Sequence, residues 1–416
     1  MPGHISDNAM KVLARLREAG YAGYLVGGCV RDLMLGREPK DFDVVTNAHP
    51  EEIKTVFRSA RLIGRRFRLA HVRFGREIIE VATFRASPDI PAEGIEEDKR
   101  ALGENVFGTQ EEDARRRDFT INALYYDPHD SAVMDYVGGA ADLKHGIVRM
   151  IGDPETRFRE DPVRMLRAVR FAAKLGFRID QHTAAPLPAL APLLRNVSSA
   201  RLFEEALKLF HGGYALETFE LLRRYGLFQF LFPLTEKSLE KELQGFPLML
   251  LPRALANTDK RVNEDKPVTP AFLFAALLWE PVRLEAEART ARGASPQEAL
   301  QAAAEQVLRE QLHSVALPKR FSFPMREIWA MQAKFNRRSG KHVLRLLEHK
   351  RFRAAYDFLL LRAETGEESP ELADWWTRFQ AADAAGRAEM MQSVPPPTDP
   401  KRKRARRRNR SRNRAR

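Results

Sequence analysis

A short apolar run, Tyr24-Leu25-Val26, breaks at Gly27-Gly28 and resumes as Cys29-Val30-Arg31-Asp32. Thirteen positions after Gly28 comes Asp41-Phe42-Asp43. The order predicts a strand, a glycine turn, a short helix, and a second strand that carries two carboxylates. Residues two apart in a strand share a face, so Asp41 and Asp43 are expected side by side. Like charges that close are unfavourable unless a cation sits between them, and paired hard oxygens suit Mg²⁺. Two glycines ahead of a helix let backbone N–H groups approach a polyphosphate closely. Each piece alone fits a tight turn or a solvated charge pair. In this order they point to a metal-dependent enzyme acting on a nucleoside triphosphate.

The 416 residues exceed what one hydrophobic core usually organises, so two to four domains are expected. Apolar residues at 44% and charged residues at 30% describe a soluble globular chain. No apolar run reaches the roughly 18 residues a membrane span needs, which predicts no membrane partner. The segment Met1 to Lys11 lacks the apolar stretch of a secretory signal, and the lone Cys29 excludes an internal disulfide framework. The expected compartment is the cytoplasm.

Net charge is +13, and residues Lys401 to Arg416 hold eleven of the cations and no acid, leaving +2 for the rest. This arginine-rich run follows Pro395-Pro396-Pro397 and has nothing apolar to bury, so a disordered tail is expected. Its charge fits phosphate neutralisation, with an affinity weakened by salt.

Up to about residue 150 the pattern alternates between helix and strand. Helical rhythm covers Lys11 to Ala19 and Val30 to Leu35, and another helix starts at Pro50 with Glu51 and Glu52 behind it. Leu69 to Phe74 and Glu77 to Phe84 read as strands joined by a Gly75-Arg76 turn, and Ser87 to Gly103 as an acidic loop. After Asp153-Pro154 strand signals vanish. Helices are expected from Asp161-Pro162 to a stop at Gly176, and over Ser199 to Phe210, Pro270 to Leu278, Ser295 to Leu312, Pro324 to Phe335 and Phe352 to Ala363. The cluster Lys334, Phe335, Arg337, Arg338, Lys341 joins cations to a ring and suits a single nucleic-acid strand as well as it suits a solvated helix end.

Two further segments carry chemistry. In Arg115-Arg116-Arg117-Asp118-Phe119, Asp118 can cap a helix or complete a metal site, with Arg117 on a triphosphate. Glu80, on the hairpin expected beside Asp41 and Asp43, competes for the third-carboxylate role. In Glu160-Asp161-Pro162-Val163-Arg164, a carboxylate acceptor stands near a guanidinium donor, with Arg167 and Arg170 one and two turns on. That acceptor and donor match the amino group and ring nitrogen of adenine or cytosine, whereas guanine and uracil present the reverse.

These motifs, with Asp135-Tyr136-Val137-Gly138-Gly139, resemble the class II tRNA nucleotidyltransferase and poly(A) polymerase family, whose head belongs to the polymerase β nucleotidyltransferase superfamily. The resemblance is strong over residues 24–210. Leu62 to Val72, including Arg65-Arg66-Phe67, together with His349 to Asp357 and the basic tail, resembles its bacterial poly(A) polymerase branch rather than the CCA-adding branch. The resemblance implies an α+β fold: a nucleotidyltransferase head over 1–150, a helical nucleotide-recognition neck over 151–215, a helical RNA-binding body over 216–390 and a disordered basic tail over 391–416. It implies Asp41 and Asp43 as holders of Mg²⁺, with Asp118 the third acidic member. Gly27, Gly28, Arg31, Arg117, Arg167 and Arg170 are implied at the triphosphate, and Asp161 and Arg164 at the base. The implied reaction is template-independent transfer of AMP from ATP to RNA 3′ ends, with RNA-decay proteins as partners. A CCA-adding tRNA nucleotidyltransferase is the alternative. Cys29 is expected to be a packed small hydrophobe.

Overall fold

The computed structural model describes residues 5–64, 68–86, 107–240, 242–243, 246–247 and 249–393. Arg65-Arg66-Phe67, the acidic loop Ser87 to Gly103 and the tail Lys401 to Arg416 lie outside the described residues. The chain divides into two compact units, residues 1–194 and 195–416.

The first unit is built on one seven-stranded sheet. Its strands are β1 Gly23–Val26, β2 Asp43–Thr46, β3 Arg61–Ile63, β4 Leu69–Phe74, β5 Glu77–Thr83, β6 Leu124–Asp127 and β7 Ala132–Asp135, in the order β3-β4-β5-β2-β1-β6-β7. Only the β2–β5 pair is parallel; the other neighbours are antiparallel. β1 and β2 are buried runs next to the centre, where continuous Val and Leu are favoured.

Helix α1 (Asp7–Glu18) opens with Ser6 accepting from the Asn8 N–H and buries Ala9, Val12, Leu13 and Leu16 along one stripe. α2 (Gly28–Met34), α3 (Pro50–Val56), α4 (Gln110–Arg116) and α5 (Gly139–His145) follow. Then come α6 (Pro154–Glu160) and α7 (Val163–Leu175), the latter stopped by Gly176 in the left-handed region at φ 71°. The expected absence of strands beyond residue 154 fails locally: Ile147–Val148 pairs in parallel with Arg178–Ile179. Two-residue strands are too short to show a period of two.

The second unit is helical where described, apart from two strands of two residues each, Glu242–Leu243 and Phe246–Pro247. Its principal helices are α8 Ser199–Phe210, α9 Leu250–Asn263, α10 Pro270–Leu277, α11 Trp279–Ala291, α12 Pro296–Gln311, α13 Lys319–Phe335, α14 Phe352–Glu364 and α15 Pro370–Ala381. α10 is apolar nearly all round and is buried accordingly. α13 begins five residues before Pro324, which sits inside the helix. The sequence placed the start at that proline because proline favours first turns. Phe335, Phe352, Tyr356, Trp376 and Phe379 form an aromatic core. Phe335 is therefore fully buried and presents no ring to a nucleic-acid strand, which corrects the expectation for the cluster at 334–341.

Candidate active site

β1 runs into Gly27, whose φ of 76° is left-handed, and α2 begins at Gly28. A Cβ on Gly27 would approach the Arg117 guanidinium at 3.4 Å, and one on Gly28 would approach that of Arg31 at 3.7 Å. The register pairs Leu25 with Val44, which sets Asp43 opposite the last residue of β1, beside the turn. Cys29 fits the same corner: its thiol donates to the Val26 carbonyl at 3.2 Å, and burial pushes its pKa up to about 11. It is a packed residue.

The two aspartates are not both in the strand. β2 starts at Asp43, and Asp41 precedes it, exposed, with Phe42 buried between them. Asp43 is half-buried, and Asp41 lies close enough to act on its charge. Burial pushes the Asp43 carboxyl up to about 6; the neighbouring Glu80 and Asp41 add to this while Arg117 opposes it. Glu80 stands directly across from Asp43 in the parallel pair, and its Oε1 lies 3.3 Å from His71 Nε2. Hard oxygens with unneutralised negative charge are what a divalent cation requires, so the residues fit such an ion. Among the described residues no three metal-capable side chains form a ready cage. Asp118 has protein partners of its own: its Oδ2 accepts from Arg167 Nε at 2.7 Å, and its Oδ1 accepts from the Phe119 N–H at 2.8 Å.

The arginines are tied down in stages. Arg31, 3% exposed, donates to Asn122 Oδ1 at 2.6 Å and Asp32 Oδ1 at 2.8 Å. Arg117 is held by Asp113 at 2.9 Å and by the Tyr125 hydroxyl at 3.2 Å, although burial opposes its charge. The Phe171 ring then gathers three guanidinium groups: Arg31 at 5.5 Å, Arg167 at 5.4 Å and Arg170 at 4.8 Å from its centroid. Asn122 and Phe171 escaped the sequence reading. Phe171 was detectable only as the residue four beyond Arg167 on the same helix.

At the other end of α7, Asp161 ends α6 and its Oδ1 accepts from the Val163 N–H at 3.2 Å. Arg164 is held by Glu160 at 2.6 Å and by the Arg157 carbonyl at 2.8 Å. Arg157 is the joint: it donates to Glu160 at 2.9 Å and to the carbonyls of Arg116 and Arg117 at 2.6 and 2.9 Å. One side chain thus connects the segment carrying Asp118 to the segment carrying Asp161 and Arg164. The Asp135 motif is a structural corner. Its carboxylate caps four successive N–H groups, from Val137 to Ala140, and a Cβ on Gly139 would overlap the Thr120 carbonyl.

Family models match in three stretches: a poly A polymerase head domain over residues 23–149, a probable RNA and SrmB-binding site of polymerase A over 176–239, and a polymerase A arginine-rich C-terminus over 292–412. The poly(A) polymerase I of Escherichia coli O6:H1 is 50% identical over 408 residues, covering 96% of this chain and 88% of that protein. A CCA-adding enzyme of Lactobacillus helveticus is 39% identical over 213 residues, covering 51% of this chain and 52% of that protein. Among solved structures, the Bacillus stearothermophilus CCA-adding enzyme in complex with CTP superimposes with a TM-score of 0.62 at 25% identity, covering 94% of this chain and 88% of that one.

Proposed function

The chain belongs to the bacterial poly(A) polymerase I family, and from that membership we propose how its residues divide the work of adding AMP from ATP to RNA 3′ ends. It is a polynucleotide adenylyltransferase. The RNA 3′-oxygen attacks the α-phosphorus, the bond from that phosphorus to the bridging oxygen breaks, pyrophosphate leaves, and the hydroxyl proton passes to solvent. The observation that carries the assignment is the joint placement of Asp43, Gly27 and Arg117 at one corner of the sheet.

Asp41 and Asp43 would hold Mg²⁺, which when bound lowers the cost of forming the attacking oxyanion and neutralises the departing pyrophosphate. Asp118 stands as the third acidic member, oriented by Arg167. Gly27 and Gly28 leave room for the phosphate chain. Arg31, Arg117, Arg167 and Arg170 meet its charge, three of them held near Phe171. Asp161 accepts from the adenine amino group and Arg164 donates to the ring nitrogen, so that the protein rather than a template selects the base. Glu160 and the Arg157 carbonyl hold Arg164 ready. The cytoplasm is the proposed compartment, and proteins of RNA decay are the proposed partners.

Asp43→Asn tests the metal assignment: AMP addition is expected to be lost while RNA binding persists, and undiminished addition overturns it. Nucleotide use on an unstructured RNA and on a tRNA lacking its terminal CCA tests base selection. ATP-only, extended products support the reading; ordered addition of C, C and A to the tRNA refutes it.

A further inference from the structure

Phe171 is a buried residue of α7, and its side chain carries no group that could bond a phosphate. Three guanidinium groups nevertheless converge on its ring: Arg167 and Arg170 from the same helix, at 5.4 and 4.8 Å from the centroid, and Arg31 from α2 at 5.5 Å. Helical spacing accounts for the first two. Arg31 comes from a distant part of the chain, so its arrival at the same ring is a property of the fold.

Like charges gathered this closely repel one another. The field they create is felt by Lys174, one turn on from Arg170: burial lowers its pKa, Asp32 opposes this, and Arg31 and Arg170 lower it further. Carboxylates answer part of the charge, Asp32 at 2.8 Å from Arg31 and Asp118 at 2.7 Å from Arg167. The ring supplies the remaining attraction, because its quadrupole draws cations towards its faces. An aliphatic side chain of similar size would pack equally well and leave the repulsion unanswered. The ring is seated edge to face against the buried Phe119, with centroids 5.6 Å apart at 75°, and Phe119 directly follows Asp118 in the chain. Its place is therefore fixed from the carboxylate side of the site.

We propose that Phe171 is a positioning residue for the reaction, which acts through Arg31, Arg167 and Arg170 rather than on the nucleotide. Its ring holds the three cations converged before ATP arrives, so that binding the triphosphate does not have to overcome their repulsion. The inference rests on those arginines meeting the triphosphate, as proposed above.

The test replaces Phe171 in the full chain by its mono-, di- and trifluorinated analogues, which keep the ring's shape while draining the negative charge from its faces. Phe171→Leu, which removes the ring, is the second variant. The probes are inorganic tripolyphosphate and AMP, with binding followed by calorimetry. Three contacts at the weak end of the cation–π range correspond together to about a tenfold change. Tripolyphosphate affinity should therefore fall stepwise with each added fluorine, to about tenfold weaker in Phe171→Leu. AMP affinity should hold, and KM for ATP should rise in step while kcat at saturating ATP stays constant. Equal tripolyphosphate affinity across the fluorinated series overturns the proposal. So does a melting temperature that falls with fluorination while affinity holds, since the ring would then serve packing alone. If the unsubstituted chain failed to bind tripolyphosphate, the triphosphate assignment of the arginines would fall, and this inference with it; binding that ignores fluorination would sink this inference alone.

Discussion

Replacing Arg117 separates two roles that the sequence could not distinguish. Its guanidinium is 25% exposed and Asp113 is 8% exposed, with an N–O distance of 2.9 Å. Removing one member of a buried pair leaves an uncompensated charge and costs about 3–5 kcal/mol. Asp113 retains the Tyr125 hydroxyl at 2.8 Å and the Arg85 N–H at 3.3 Å, so Arg117→Leu should fall near the lower end, about 3 kcal/mol. Asp113→Asn/Arg117→Leu removes both charges while the amide still accepts from Tyr125, and should recover about 2 kcal/mol of that loss. Hydrogen exchange of α4 and β6 peptides in urea reads the first unit separately from the second. A single substitution costing less than about 1 kcal/mol, or a double equal to the sum of the singles, would refute the buried-pair argument. If Arg117 also meets the triphosphate, the restabilised double variant should show a KM for ATP raised about tenfold or more, the loss of one charged hydrogen bond.

Arg157→Met should loosen the joint between the Asp118 and Arg164 segments, raising KM for ATP and eroding preference for ATP over CTP; an unchanged preference ratio would show that the joint positions nothing. Gly139→Ala should destabilise the first unit by several kcal/mol, because backbone rather than a flexible side chain occupies the Cβ position; a melting temperature within about 2 °C of wild type would contradict the geometry. In the second unit, burial and then the neighbouring Glu367 raise the Glu280 carboxyl well above its ordinary value. The folded state therefore holds that proton more tightly than the unfolded chain does. Stability should fall as pH climbs above the ordinary carboxylate range towards neutrality, by about 1.4 kcal/mol per unit of displacement. Glu280→Gln should flatten that decline in urea titrations at pH 5 and pH 8, and an equal slope in both proteins would exclude the carboxyl.

Much of the fold was legible because local chemistry and global packing agree. Ser295 and Gly176 mark helix ends in the sequence as they do in the structure, and Gly75-Arg76 joins two strands as expected, whereas the first helix starts at Asp7, four residues before the expected Lys11. Legibility ended where an element is too short to show a period, as at Ile147–Val148, or where a local rule was overridden, as at Pro324. The sequence by itself determined the residue types of the site, because a glycine turn, close carboxylates and arginines spaced every three residues carry their chemistry in spacing alone. Only the tertiary structure decided the partners. It set Glu80 across from Asp43, gave Asp118 to Arg167, Arg117 to Asp113, and three guanidinium groups to Phe171. The Asp43–Glu80, Asp118–Arg167 and Arg31–Phe171 pairings join residues far apart in the chain, and no spacing rule reaches across a sheet. Which charge neutralises which depends on strand register and helix docking.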